Sequence, residues 1–317
     1  ELVKLNLYSD GSTQVVRDNY EYKSVTKPVI NFNLTDNFGG VVYQSSSLPS
    51  GAGLTFISGS EGNEDEKYTA FTLECELILP RKQEEMIPSY FPTDFITSSI
   101  AGFHRAIFDE PENYTWHRTS DSTLRMYVIR DAVESPHVKF KLSGSNINLT
   151  SSLYRHSYND EKWSLAARVR HTDYPFVGIT GSDGTYNDSY IIEFYGLQAV
   201  GNEIKKGPFL VSASVSNAVG RMLLSQTKRI YAGAHRTNYT GSLLERTDIK
   251  VSQLRYWQSY LDNDTIKQHA YDPTNYGVEH PYHTNNPFLS NIYEVPQIET
   301  LALHWDFGTV TGSGNTG

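Results

Sequence analysis

Two carboxylates stand two residues apart at Glu74 and Glu76, inside the alternating run Phe71, Leu73, Cys75, Leu77 and Leu79. Side chains at that interval on a strand project to one face about 6.5 Å apart. That separation falls within the roughly 5–10 Å that two carboxyl groups need to act across a glycosidic bond. The plainer expectation is a solvated strand face. Cys75, the single cysteine, alternates with the apolar positions and has neither a helix start nor a basic neighbour to lower its pKa, so it is expected to be a small buried hydrophobe. The run Ser182-Asp183-Gly184-Thr185-Tyr186-Asn187-Asp188-Ser189 supplies the hard oxygen atoms that calcium prefers, yet the same residue types build ordinary tight turns. No obligatory cofactor is expected, with Ca2+ as the one ion to consider. Glu279, His280 and His283 sit in a Pro-rich stretch and are expected to be surface groups. No nucleophile elbow, phosphate-binding loop, zinc-protease helix or dinucleotide fingerprint occurs.

The chain around these residues has 317 residues, 38% of them hydrophobic and 20% charged, enough to bury a sizeable core. A net charge of −9, with no basic cluster beyond Lys205-Lys206, repels a phosphate backbone and excludes nucleic acid as a partner. No apolar run approaches 18 residues, so no membrane span is expected, and residues 1–20 lack the apolar stretch of a signal peptide. The first residue, Glu1, suggests a processed chain or a fragment. One cysteine excludes an internal disulfide framework. The 22 Tyr, 23 Gly and 13 Pro favour strands and turns over helices.

Period-two alternation predicts strands over Phe71–Leu79, Leu124–Arg130, Val138–Leu142, Trp163–Arg170, Tyr190–Tyr195, Phe209–Val215, Arg229–Ala232 and Asp248–Trp257. Each is expected to have one wet face. The one convincing helix is Asp262–Ala270, with acidic or Asn caps at its start. Alternating strands must bury their apolar faces against another layer, which predicts an all-β fold of two packed antiparallel sheets with one short peripheral helix. The expected organisation is an N-terminal extended segment over 1–25, the sandwich over 26–272, and a Pro/Asn-rich linker over 273–317. Leu303-His304-Trp305-Asp306-Phe307 echoes Val29–Leu34 and is expected to open a further module.

The turn and strand Asn159–Ala167, the glycine-bearing strand Arg229–Ala234, the turn Tyr239–Leu243 and the closing strand Ile249–Trp257 follow one another in an order that resembles concanavalin A-like and laminin G-like domains. The closing stretch, Val251–Trp257 with Tyr260-Leu261 and Ile266–Asp272, is most similar to jelly-roll modules of large bacteriophage virion structural proteins. The resemblance covers roughly residues 26 to 270 and implies a jelly roll used in adhesion or particle assembly. It also implies a virion location and partners that are other virion proteins, copies of the same chain, or glycans. Laminarinase-type enzymes of this kind carry an E-x-D-x-x-E or E-x-D-x-E string; Glu74-Cys75-Glu76-Leu77-Ile78 lacks the middle Asp and the third acid, so no enzyme is expected.

A sandwich carries its variable loops at its rims, held by rigid sheets. Three loops combine aromatic, amide and charged groups suited to sugar or protein surfaces. They nominate Asn113, Tyr114 and Trp116, then Tyr186, Asn187 and Asp188, and finally His235, Arg236, Asn238 and Tyr239 as ligand-binding residues. Three readings follow: an adhesion module of a virion protein, a lectin-like domain with or without calcium, and a glycosidase using Glu74 and Glu76.

Overall fold

A computed structural model describes residues 4–7, 13–16, 30–31, 40–43, 70–81, 95–105, 124–133, 135–144, 146–172, 189–225, 228–236, 243–275 and 301–307. They are mostly strand, arranged as two antiparallel sheets, so the expected all-β sandwich is what the chain forms. In chain order the first four strands are β1 (Lys4–Leu7), β2 (Thr13–Val16), β3 (Ile30–Asn31) and β4 (Gly40–Tyr43). There follow β5 (Ala70–Ile78), β6 (Thr97–Arg105), β7 (Leu124–Arg130), β8 (Val138–Gly144), β9 (Ile147–Thr150), β10 (Lys162–His171), β11 (Ser189–Val200) and β12 (Glu203–Ser216). Helix α1 (Asn217–Ser225) leads to β13 (Lys228–Gly233), β14 (His235–Arg236), β15 (Leu243–Glu245) and β16 (Lys250–Trp257); α2 (Asn263–Tyr271) and β17 (Leu301–Asp306) complete the order. Among the described residues no helix is long and apolar enough to cross a membrane.

One sheet has seven strands in the order β12-β11-β10-β5-β16-β17, with β3 also pairing β16; the other has six, in the order β4-β13-β6-β7-β8-β9. The alternation seen in β5 explains the layering. Phe71, Leu73, Cys75 and Leu77 face the second sheet and are buried with Trp163 and Leu165 of β10, Phe194 of β11, Leu254 and Tyr256 of β16, and Phe103, Met126, Val128 and Phe140 from across the layer. Aromatic contacts bridge the sheets: Phe140 and Trp163 have ring centroids 4.6 Å apart, Phe71 and Phe103 5.6 Å. Each such side chain contributes about 1.5–3 kcal/mol by leaving water, which is the stabilisation a chain without disulfides must rely on. Cys75 is buried, as expected, and burial followed by the charge of Glu76 pushes its thiol pKa well up.

Helix α2 forms where its cap is written. Asp262 accepts a hydrogen bond from the backbone N–H of Thr265 at 2.7 Å and satisfies one of the orphan donors of the first turn. Helix α1 was not legible. It has no acidic residue in its first turn and no basic residue in its last, and it carries Gly220 in its interior because a Cβ there would lie 2.1 Å from the Tyr190 ring.

Segments at both chain ends find strand partners. Within the stretch expected to be extended, β1 and β2 pair antiparallel from Lys4↔Val16 to Leu7↔Thr13. The segment 301–306 pairs with β16, from Gln253↔Asp306 to Trp257↔Leu301, and places Leu303 and Trp305 against the main core. The closing strand left an unpaired edge beside it, and β17 fills that edge.

Candidate functional site: one end of the sandwich

The two carboxylates that open the chemical question are not on a solvated face. Glu74 and Glu76 are 7% and 4% exposed, because α2 and the chain following β16 lie across the outer side of the seven-stranded sheet. Glu74 accepts hydrogen bonds from Trp257 Nε1 at 2.7 Å and pairs with His269 Nδ1 of α2 at 2.9 Å. Burial by itself raises the Glu74 pKa; the charge and hydrogen bond of His269, the Arg255 guanidinium and the Trp257 donor outweigh it and hold the carboxyl below its ordinary range. Glu76 meets Lys162 Nζ at 3.2 Å and accepts from Ser252 Oγ at 3.1 Å.

Three cations bind the covering segment to the sheet. Lys162 donates to the Ala270 carbonyl at 2.6 Å, Arg168 to the Leu261 carbonyl at 2.9 Å and to Asn263 Oδ1 at 2.8 Å, and Arg255 to the carbonyls of Pro273 and Asn275. Arg168 also pairs with Glu193 at 2.9 Å and lies over the rings of Tyr260 and Tyr195. The space left between Glu74, Glu76, Gln253 and His269 holds no more than a water. Sugar rings have no access to this pair, and the expectation of a wet face fails because the same strand residues find charged partners up to 195 residues away.

The loops nominated for recognition come together differently. Lys228, which opens β13, pairs with Arg105 at the close of β6, so the 106–123 connection leaves the end of the sandwich at which α1 crosses between the sheets. Ser189 pairs with Ser216, the residue before α1, and Thr172 donates to the Ser189 carbonyl at 3.0 Å; the 173–188 connection therefore leaves the same end. The third stem folds back to it. Gly233 has φ +83, which lets the chain reverse after β13. His235 then stacks on Tyr231 and His104 with centroids 4.6 and 4.4 Å apart. After β15 the chain runs the other way, where Arg246 O accepts from Ser99 N at 2.8 Å and Thr247 Oγ1 donates to Ser99 O at 2.6 Å. The 237–242 connection is thus carried back towards the end reached by β6.

On the outer side of the six-stranded sheet, under the β14–β15 hairpin, lies a cluster of side chains that the sequence reading missed. Tyr127 donates to Glu245 Oε1 at 2.6 Å, and Arg125 pairs with the same oxygen at 3.2 Å. Burial, followed by each other's proximity or that of Glu245, pushes the Tyr127 and Tyr231 phenols far up, so both remain neutral hydrogen-bonding groups. No spacing in the sequence announces this cluster, since β6, β7, β13, β14 and β15 each contribute one or two of its members.

Of the nominated residues, His235 is fully buried within the stack and has no surface for a ligand to touch; it holds the hairpin down. Arg236 is placed by its backbone in β14. Asn113, Tyr114, Trp116, Tyr186, Asn187, Asp188, Asn238 and Tyr239 lie outside the described residues, as do the oxygen-rich run Ser182–Asp188 and the group Glu279, His280 and His283. Among the described residues no group of three or more His, Cys, Asp or Glu is placed to hold a metal.

No family model matches the chain, and no curated protein matches it. Among solved structures, the enzymatically active domain of tailspike protein 2 from bacteriophage CBA120 is similar with a TM-score of 0.34 and 10% identity over 74% of this chain, which spans 31% of that one. An alginate lyase from Klebsiella pneumoniae is similar at 0.30 and 11%, covering 60% of each chain. The CBM2 module of the evolved Dit of Lactobacillus casei BL23 phage J-1 follows at 0.29 and 10%, covering 66% of this chain and 69% of that one.

Proposed function

We propose that this chain is a non-catalytic adhesion module of a virion structural protein, which holds its ligand at the end of the sandwich where the 106–123, 173–188 and 237–242 connections leave the sheets. The observation that carries the reading is that the stems of the 106–123 and 173–188 connections leave one end of the sandwich and that the β14–β15 hairpin is turned back towards that end. Rigid sheets hold the loop bases and leave the loop side chains to select a partner. The residue types in the loops, Asn113, Tyr114, Trp116, Tyr186, Asn187, Asp188, Asn238 and Tyr239, suit glycans: aromatic faces stack on sugar rings while amides and carboxylates bond hydroxyls. The virion setting rests on the resemblance of the closing stretch Val251–Trp257 to phage jelly-roll modules. Commitment of Glu74 and Glu76 to buried partners supports the non-catalytic reading, since a glycosidase built on this pair needs it open to a sugar.

A glycan array tests this directly. The chain is expected to bind a restricted set of glycans, and Trp116→Ala and Tyr239→Ala are each expected to weaken binding about tenfold or more without moving the unfolding midpoint. A parallel array with chelator reads whether the Asp183–Asp188 loop uses calcium. Absence of binding in both conditions would remove the attachment role and leave particle assembly.

A further inference from the structure

Strand β12 is the longest among the described residues, 14 residues, and it lies at one edge of the seven-stranded sheet. Among the described residues its only strand partner is β11. An exposed edge is a template for another strand unless charge, proline or a bulge blunts it. The first part of β12 has all three: Glu203 with Lys205, then Lys206, then Gly207-Pro208, with an irregular register opposite Gly196 to Ala199. The second part has none. Phe209-Leu210-Val211-Ser212-Ala213-Ser214-Val215-Ser216 carries no charge, Gly or Pro and pairs with β11 in unbroken register from Phe209↔Gly196 to Ser216↔Ser189.

This unguarded stretch is self-complementary. Val211-Ser212-Ala213-Ser214-Val215 reads the same in both directions. We propose that a second copy of this chain pairs with it, β12 against β12, antiparallel about a two-fold axis at Ala213, so that the two seven-stranded sheets become one. Ala213 then lies opposite its own copy, Ser212 opposite Ser214, and Val211 opposite Val215. Opposed residues in an antiparallel pair share a face, so the valines and alanines of both copies line the core side and the serines the outer side. The packing asks for such a neighbour. Val211, Ala213 and Val215 face the core yet remain only partly buried at the edge, while Ser212, Ser214, Ser216 and Leu210, at 49%, are exposed. A second strand completes the burial of the first three and satisfies the edge's outward N–H and C=O groups. An isologous contact of this kind closes at two copies. The inference stands on the edge alone and does not depend on the adhesion reading or its loops.

The full chain's mass in solution provides the test, by sedimentation across concentrations up to about 100 μM. A species of twice 35.8 kDa is expected. Ser212→Lys combined with Ser214→Lys sets like charges opposite each other and is expected to weaken dimerisation about a hundredfold or more. Ser212→Glu combined with Ser214→Lys sets unlike charges opposite each other only in the register centred on Ala213, and is expected to restore the dimer. A wild-type chain that stays monomeric throughout, a dimer unmoved by the two lysines, or a monomer from the Glu/Lys pair that keeps the wild-type circular dichroism would each overturn the proposal.

Discussion

Lys228 is the residue whose chemistry the fold changes most plainly. Its ammonium lies over the rings of Phe71 and Phe103, each centroid 5.6 Å away, and donates to the Leu224 carbonyl at 3.1 Å. Burial lowers its pKa from 10.5 to about 7, because a charge in a low-dielectric core loses its hydration. The unfolded chain therefore binds more protons than the folded one between about pH 7 and 10.5, and stability rises with pH across that window. The contribution is smallest below pH 7, where the folded state must hold the charged form, and grows by about 2 kcal/mol between pH 7 and 9. Comparing Lys228→Met with the wild type isolates it: the variant's advantage in unfolding midpoint should be largest at pH 6 and shrink by pH 9. A constant difference would mean that the side chain keeps its charge at neutral pH.

At the scale of elements, the segment from Ser259 to Asn275 is held by apolar packing and by charge together. Ile266 and Ala270 of α2 pack on a small satellite cluster with Tyr195, Leu197 and Trp257, whereas Lys162, Arg168 and Arg255 each grip backbone carbonyls of the segment. Breaking a buried ion pair from one side leaves the other charge under-compensated, at a cost of about 3 kcal/mol. Arg168→Met should accordingly lower stability by about that amount, with Arg170 and Tyr260 still contacting Glu193. Hydrogen exchange should locate the effect, with amides of Leu261–Ala270 losing protection well before those of β10. Equal loss in both would show that the clamp holds the sheet rather than the cover. The helix itself was readable from Asp262 and its turn, but its role was not. Neither the interval of Glu74 and Glu76 nor the helix pattern states that His269 must lie on Glu74, a contact that closes a loop of 195 residues.

For the whole molecule, β17 joins a distant segment to the seven-stranded sheet. Its pairing with β16 makes residues 301–306 part of the seven-stranded sheet. Deleting residues 299–317 should lower the unfolding midpoint and expose alternate amides of Gln253–Trp257, those facing away from β5, to rapid exchange. Unchanged protection there would return the tail to a role outside this sheet. The three loop stems and the covered acid pair are likewise properties of the assembled layers, and their partners come from strands distant in the chain.

The features legible in the residues alone were local: which segments alternate and so form half-apolar strands, where one helix is capped, that a chain with one cysteine must be held by a core, and that Cys75 belongs in it. These follow from side-chain period and backbone capping, which act over a few residues. It took the assembled layers to make the polar faces of β5, β10, β11 and β16 dry, to bury His235 under its own hairpin, and to set β17 beside β16. Each of those outcomes depends on partners brought from far along the chain, and the burial of a charged group is tolerable only once its counter-charge has arrived.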